Sequence, residues 1–373
     1  MSSLRGLYVH VPFCVSKCTY CDFYSLAGRD EAKTAYVAAV LNEAAATSGQ
    51  SFQTLYLGGG TPSVLGAGLL ERMVSGLRNS LDLSGLLEAS IEVNPDSASR
   101  DLLVTARATG FARLSVGIQS LADDELRSVG RVHTAAQAIE TVRLARSLGF
   151  TSISADLIVG LPGQRWPSLR HSLERLVEVG IDHVSLYCLS VEDGTALRAD
   201  VPPNLPSEDA QAELFDLARF VLAHSGFSHY EISNFARPGH ECLHNLIYWH
   251  GDEYLGLGPA AASHTDGKRF RNRPDLDKYI LTPGPHTEQI ECLDAEQKAS
   301  EEAMLRLRLL GEGLDIAALA ARFGPANVSE LETRLDKLAQ DGSLECEGTT
   351  FRLPPARVLT SNPILAEVVA RPR

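Results

Sequence analysis

Basic charge is in short supply in this chain: 34 lysines and arginines face 47 aspartates and glutamates, a formal net charge of −13 at pH 7. A nucleic-acid binder would present a strong basic face, so that class is set aside. No stretch approaches the roughly 20 apolar residues a membrane span needs. The N-terminus carries one arginine and no long apolar segment, so no secretory signal is expected. Cysteines number seven, and four of them (Cys188, Cys242, Cys292, Cys346) are scattered. That is no disulfide framework; it suits a reducing, cytoplasmic compartment. Low-complexity tracts and internal repeats are missing too. What remains is ordinary for a globular protein, 44% apolar and 22% charged. At 373 residues the chain has room for one large α/β domain and a smaller unit.

Against that background three cysteines stand together. Cys14, Cys18 and Cys21 are spaced C-x3-C-x2-C within eight residues. They follow the run Leu7-Tyr8-Val9-His10-Val11, which reads as a strand, and Pro12-Phe13 puts them on the loop leaving it. Three thiolates on one loop indicate a metal or cluster site. An ordinary cubane is held by four cysteines, so a set of three leaves one iron open to a cofactor or substrate. A structural zinc site would want a fourth ligand, and His10 is the nearby candidate. The spacing alone leaves both open.

Downstream, short apolar strands are expected at 54–57, 88–93, 113–118, 152–159 and 183–189, with helices at 30–47, 67–80, 99–109, 134–148 and 167–179. This alternation indicates a parallel sheet with right-handed crossovers. The strands read as continuous apolar runs, the pattern of strands covered on both faces. Polar and glycine-rich signals fall at their C-terminal ends, the rim where barrels and open α/β sheets bind ligands. Ser207 is a candidate N-cap for a helix over 208–225, and 229–233 reads as a further strand. Residues 240–290 read as irregular. A second unit starts near Asp294, with helices over 295–310 and 313–323, a capping-box-like start at Ser329–Glu332 for a third over 329–341, and a hairpin over 344–353. Three helices and a hairpin suggest a winged-helix-like module. The expected units are 1–235, 236–293 and 294–373.

The run HVPFCVSKCTYCDF, His10 to Phe23, resembles the signature of radical S-adenosylmethionine (SAM) enzymes. Within them it is similar to the branch holding oxygen-independent coproporphyrinogen III oxidases and HemW-type haem chaperones. The resemblance implies a partial (β/α)6 barrel and a [4Fe–4S] cluster on Cys14, Cys18 and Cys21. SAM would chelate the open iron and be cleaved by one electron to a 5′-deoxyadenosyl radical. Gly58-Gly59-Gly60-Thr61-Pro62 resembles the family's GGGTP element and implies SAM contacts at Gly59, Gly60 and Thr61. A second SAM, where this branch holds one, would lie nearest Tyr20, Gly60 and Thr61. Glu92, Gln119 and Asp156 match the E-x-N-P, G-I-Q-S and D-L-I-x-G-L-P elements, and Arg131 the GR-x-H element. Their implied partners are the ribose hydroxyls and amino-acid part of SAM, with the Arg131 guanidinium near its carboxylate. Tyr8 matches a further SAM contact.

Two features separate the members of this branch. The oxidases carry a further cysteine soon after the triplet, where this chain has Asp22-Phe23, and a longer N-terminal arm, where this chain begins seven residues before Tyr8. His244-Asn245-Leu246-Ile247-Tyr248-Trp249 reproduces the HNxxYW element of the chaperones. Gly256-Leu257-Gly258-Pro259 follows, with Ala260 and Ala262 where glycine and histidine are common, and His264 as a stand-in. The resemblance thus implies a chaperone with haem as cargo for acceptor haemoproteins, including acceptors at a membrane surface, and with no nucleic-acid partner. His244 is the expected axial haem ligand. Lys268, Arg269, Arg271 and Arg273 are the expected cations for its propionates. A coproporphyrinogen III oxidase is the alternative within enzymes, and a zinc-bearing winged-helix regulator the alternative of another class.

Overall fold

The computed structural model describes residues 4–282 and 287–369. The outermost residues of the expected units, 1–3 and 370–373, and residues 283–286 lie outside the described residues. Six parallel strands run in chain order across the sheet: Arg5–Val11, Thr54–Gly59, Glu88–Val93, Arg113–Gln119, Ser152–Val159 and His183–Cys188. Helices Lys33–Ala46, Gly66–Ser80, Arg100–Ala108, Ala135–Ser147 and Trp166–Glu178 connect them. A short helix, Asp123–Ser128, precedes the fourth of these. Local chemistry fixes the boundaries: Ser99, Thr134 and Ser207 each accept a backbone N–H of their helix's first turn. The architecture is the partial (β/α)6 barrel that the family resemblance implies.

The strands are not covered by apolar groups on both faces, and that expectation is corrected. One face of each carries the core, Leu7, Val9 and Val11, then Leu55 and Leu57, Ile91 and Val93, Leu114 and Val116, Ile153 and Leu157, all buried against the helices. Each such fully buried side chain stabilises the fold by about 1.5–3 kcal/mol. The alternate positions are polar: Tyr8 and His10, Thr54 and Tyr56, Ser90 and Glu92, Arg113 and Ser115, Ser154 and Asp156, His183 and Ser185. Register sets Tyr8 beside Tyr56 beside Ser90, and Ser115 beside Ser154. The strands of the half-barrel therefore alternate, because their inner face lines a polar lumen rather than a packed core.

The described residues of segment 240–290, expected to be irregular, form regular elements. They form the helix Leu243–Trp249, the strands Glu253–Leu257, Ala262–Thr265 and Lys268–Asn272, and the helix Leu276–Leu281. The first of these strands adds parallel to Arg5–Val11, and the next two continue the sheet antiparallel, followed by Thr287–Cys292. The stretch is therefore an extension of the main sheet. Sequence pattern missed it because these short strands carry glycines and arginines and lie near one edge. The strand expected over 229–233 is a hairpin, Ser228–Glu231 and Asn234–Ala236, whose second arm pairs antiparallel with the sixth strand.

The C-terminal module has helices Ala295–Arg306, Ile316–Phe323 and Pro325–Gln340 and a three-stranded sheet of Leu314–Asp315, Glu345–Glu347 and Thr350–Arg352. A further helix, Ser361–Val368, packs on it. Ser329 is not a cap: Pro325 occupies the first turn of that helix after Gly324 at φ +89°, so Ser329 falls inside it.

Candidate functional site

The upper lumen opens into a cavity of about 350 Å³ at the C-terminal ends of the strands. Its lip is the cysteine loop, where Cys14, Cys18 and Cys21 all line the cavity and are partly exposed. The loop is pinned by backbone hydrogen bonds, Thr19 N to Val129 O at 3.1 Å and Leu197 N to Thr19 O at 2.8 Å. Burial raises the pKa of the Cys14 and Cys21 thiols. Thr61 Oγ1, donating to Cys14 Sγ at 3.5 Å, opposes this at Cys14, and an Arg131 terminal nitrogen donates to Cys18 Sγ at 3.5 Å.

Glycines let the second strand's end approach. A Cβ on Gly60 would meet the carbonyl oxygen of Phe13 at 2.7 Å, and Gly59 has φ +110°. Gly59 N donates to Glu92 Oε2 at 3.1 Å, and Tyr56 Oη donates to Glu92 Oε1 at 2.8 Å. Burial, followed by repulsion from Asp156, pushes Glu92 up to about 7. Asp156 accepts from Ser115 Oγ at 2.9 Å, and burial raises its pKa also. Gln119 ends the fourth strand at φ +66°, a left-handed backbone that a non-glycine residue rarely adopts, beside a register shift against the fifth strand. Strain of this kind concentrates at functional sites.

Arg131 is held more tightly than its sequence element suggests. One terminal nitrogen donates to Asn94 Oδ1 at 2.8 Å and to the carbonyl of Gly117, while Asn94 Nδ2 donates to Thr61 Oγ1 at 2.9 Å. Its buried Nε is left without a partner, as is Thr19 Oγ1 beside Cys18. Asn94, Gly117 and Tyr187 also line the cavity and were missed in the sequence. Asn94 sat in the E-x-N-P element two residues past Glu92. Tyr187 gave no signal, being one aromatic residue in an apolar strand.

Tyr8, His10 and His244 lie apart from this group. Tyr8 Oη meets His10 Nδ1 at 3.1 Å, and Tyr8 does not line the cavity. His10 Nε2 bonds the Tyr24 carbonyl at 2.8 Å, so both its ring nitrogens are engaged, and burial lowers its pKa to about 4. His10 is therefore not free to serve as the fourth ligand of a zinc site built on the three cysteines. Among the described residues, no group of three or more His, Cys, Asp or Glu side chains is arranged to hold a single metal ion. Three free thiols on one loop are, by their chemistry, the donor set of a cluster with one open iron.

His244 is 1% exposed, with Nδ1 2.7 Å from Thr54 Oγ1 and Nε2 2.8 Å from Tyr248 Oη. Both nitrogens are engaged inside the lower lumen, so this arrangement does not present His244 as an axial haem ligand. Part of the basic stretch is committed as well: Arg269 pairs with Glu301 and Arg273 with Glu288, while Arg271 Nε donates to the Ala260 carbonyl at 3.2 Å. His264, the stand-in for the family's histidine, bonds the Asp252 carbonyl at 3.2 Å and faces a separate cavity.

With this geometry in place, the relatives of the chain can be compared. A family model described as the radical SAM superfamily matches residues 8–176, and one described as the HemN C-terminal domain matches 293–358. A protein named Heme chaperone HemW from Mycobacterium tuberculosis is 36% identical over a 380-residue alignment, covering 98% of this chain and 94% of its own. A protein of the same name from Escherichia coli is 35% identical over 313 residues, covering 82% of each. Among solved structures, Escherichia coli coproporphyrinogen III oxidase (HemN), described as a radical SAM enzyme, aligns with a TM-score of 0.88 at 26% identity, over 99% of this chain and 90% of that one.

Proposed function

This chain belongs to the HemW family of radical SAM proteins, and on that premise we propose that it carries haem to acceptor haemoproteins, holding a [4Fe–4S] cluster on Cys14, Cys18 and Cys21 and SAM in the lumen above Tyr56. The observation that carries this reading is the convergence of three thiols, a glycine-lined strand end, two carboxylates and a buried arginine on one cavity of about 350 Å³. A cluster bound there supplies an iron without a protein ligand and an electron for a sulfonium cofactor.

The chain's own residues supply the rest. Gly59, Gly60 and Thr61 bring backbone close to the cofactor's amino-acid end, and Glu92 and Asp156 accept hydrogen bonds from its amine or ribose hydroxyls. Gln119 presents a side-chain amide at the rim. Arg131 lines the cavity, and its guanidinium can meet the cofactor's carboxylate there. Tyr20 also lines the cavity and, with Gly60 and Thr61, would border a second SAM. For the haem, two large apolar side chains of the cysteine loop are exposed, Phe23 at 63% and Val15 at 57%, beside the exposed Ser16, Lys17 and Asp22. They offer the macrocycle a wall that His244 and the arginine strand do not.

The structural likeness to HemN over 99% of the chain keeps a coproporphyrinogen III oxidase as the second reading. Asp22-Phe23, where a further cysteine would follow the triplet, weighs against it. One sample decides: anaerobic reconstitution, iron and sulfide analysis, electron paramagnetic resonance with and without SAM, haem titration and a decarboxylation assay. Haem binding, a SAM-dependent change in the reduced-cluster spectrum and no vinyl formation are expected. Turnover of coproporphyrinogen III would promote the second reading, and a cluster spectrum indifferent to SAM would end the first.

A further inference from the structure

The HNxxYW element is built into the barrel without touching the ligand cavity. Its helix, Leu243–Trp249, is anchored at its start by Glu88, whose carboxylate accepts Leu243 N and His244 N, each at 3.1 Å. Glu88 opens the third strand, four residues before Glu92. From the helix, His244 reaches into the lumen past Gly6, where any Cβ would lie 3.0 Å from its ring. There it stacks on Tyr56, with ring centroids 5.1 Å apart and planes at 24°. Tyr248 packs edge-on against His244 at 5.0 Å while bonding its Nε2. Tyr8 lies 6.2 Å from Tyr56 and 6.4 Å from His244, so the three rings form one cluster. Stacked on His244 and packed against Tyr8, Tyr56 donates its hydroxyl to Glu92.

We propose that the HNxxYW helix is a positioning device for the cofactor cavity: His244, braced by Tyr248, holds Tyr56 so that its hydroxyl orients the Glu92 carboxylate. Tyr56 and His244 are positioning residues, acting only through Glu92. This rests on the reading that SAM fills the cavity. The groups facing Glu92 are Asp156 from the fifth strand and the hydroxyls of Tyr8, Tyr56, Tyr187 and Tyr248. Of these, Tyr56 donates to the carboxylate and favours its charged form, whereas Asp156 opposes that form.

The test is equilibrium SAM binding to cluster-loaded protein across pH 6–9. Affinity in the wild type should rise with pH as Glu92 deprotonates. Tyr56→Phe, which deletes one hydroxyl, should move that midpoint up by about one pH unit, since a hydrogen bond to the charged form is lost. In a Glu92→Gln background the profile should be flat and Tyr56→Phe should change nothing further. His244→Ala should shift the midpoint as Tyr56→Phe does, and His244→Phe, which keeps a stacking ring, should restore it. Iron content and far-ultraviolet circular dichroism confirm folding; should the His244 variants not fold, the Tyr56 cycle decides. An unmoved midpoint in Tyr56→Phe, or an equal loss with and without the Glu92 carboxylate, overturns the proposal. A changed haem Soret band in His244→Ala with an unchanged SAM profile would overturn the proposal and return that residue to haem. If the wild type binds no SAM the broader reading fails, and infrared titration of the Glu92 carboxylate in the same variants still decides this one.

Discussion

Arg131 reaches Cys18 across the mouth of the barrel, its terminal nitrogen 3.5 Å from the thiol sulfur. The two residues are 113 apart in sequence. A cationic donor at a cluster sulfur stabilises the more negative, reduced cluster and so raises its reduction potential. Arg131→Gln removes the charge and should lower the potential, read by a redox titration followed by electron paramagnetic resonance. It should also weaken SAM roughly ten- to a hundredfold, the effect of losing one hydrogen bond to a charged group. Iron content should hold, because the three thiolates remain. A potential unchanged from wild type would mean that the arginine serves only Asn94 and Gly117.

Cys188 provides the sharper control for the cluster assignment. It lines the same cavity as Cys14, Cys18 and Cys21, and burial pushes its thiol up to about 11. Cys14 and Cys21 sit beside hydrogen-bond donors that favour thiolate, and Cys18 accepts from Arg131; for Cys188 burial is the one influence that stands out. Alanine at any of the three should remove most of the iron on reconstitution, while Cys188→Ala should keep it. Iron loss in Cys188→Ala, or full iron in Cys18→Ala, would overturn the ligand set.

How legible this was depended on which physical signal each residue carried. The strand and helix order was readable because outward faces such as Leu55-Leu57 and Ile91-Val93 are apolar. The cavity's main residues were readable because they lie in short elements at strand ends, as Glu92 and Asp156 do. The lumen was misjudged because Tyr8, Tyr56 and His183 look like ordinary strand formers when inward and outward faces are not separated. His244 was assigned to haem because a motif names residue types without saying which way they point. Nothing in one sequence tells that both its nitrogens meet Thr54 and Tyr248.

Ala260 shows a departure from the family pattern with a structural cost. It occupies φ +65°, the left-handed region, where the resemblance led to an expected glycine. That conformation costs a non-glycine residue roughly 1–2 kcal/mol, offset in part by the entropy glycine loses on folding. Ala260→Gly should therefore stabilise the protein by about 0.5–1 kcal/mol, measured as a higher denaturant midpoint. Asn272 Nδ2 and Arg271 Nε bond the adjoining carbonyls of Gly258 and Ala260, so the backbone path is set independently of the side chain. A lower midpoint would mean that the Ala260 methyl packs usefully enough to outweigh its strain.

The pH dependence of the ligand-free protein follows from Glu92. Its folded pKa is raised to about 7 by burial and by Asp156, above an ordinary carboxyl value. For an acid raised in the folded state, folding is favoured while the group stays protonated. Stability is therefore lost as pH climbs from the ordinary carboxyl pKa to about 7, by on the order of 3 kcal/mol, and then levels off. Glu231, raised to about 7 by burial at the hairpin beside the sixth strand, contributes in the same direction. Glu92→Gln should thus stabilise the ligand-free protein at pH 8 and do little at pH 4, and Glu231→Gln should behave likewise. The two separate on adding SAM to cluster-loaded protein. SAM should stabilise the wild type and Glu231→Gln at pH 8, but Glu92→Gln much less, because the carboxylate held at a cost in the empty lumen is the one the cofactor needs. Denaturant midpoints at the two pH values, with and without SAM, check this. Equal stabilisation of all three by SAM would show that Glu92 is a structural carboxyl and not a cofactor contact.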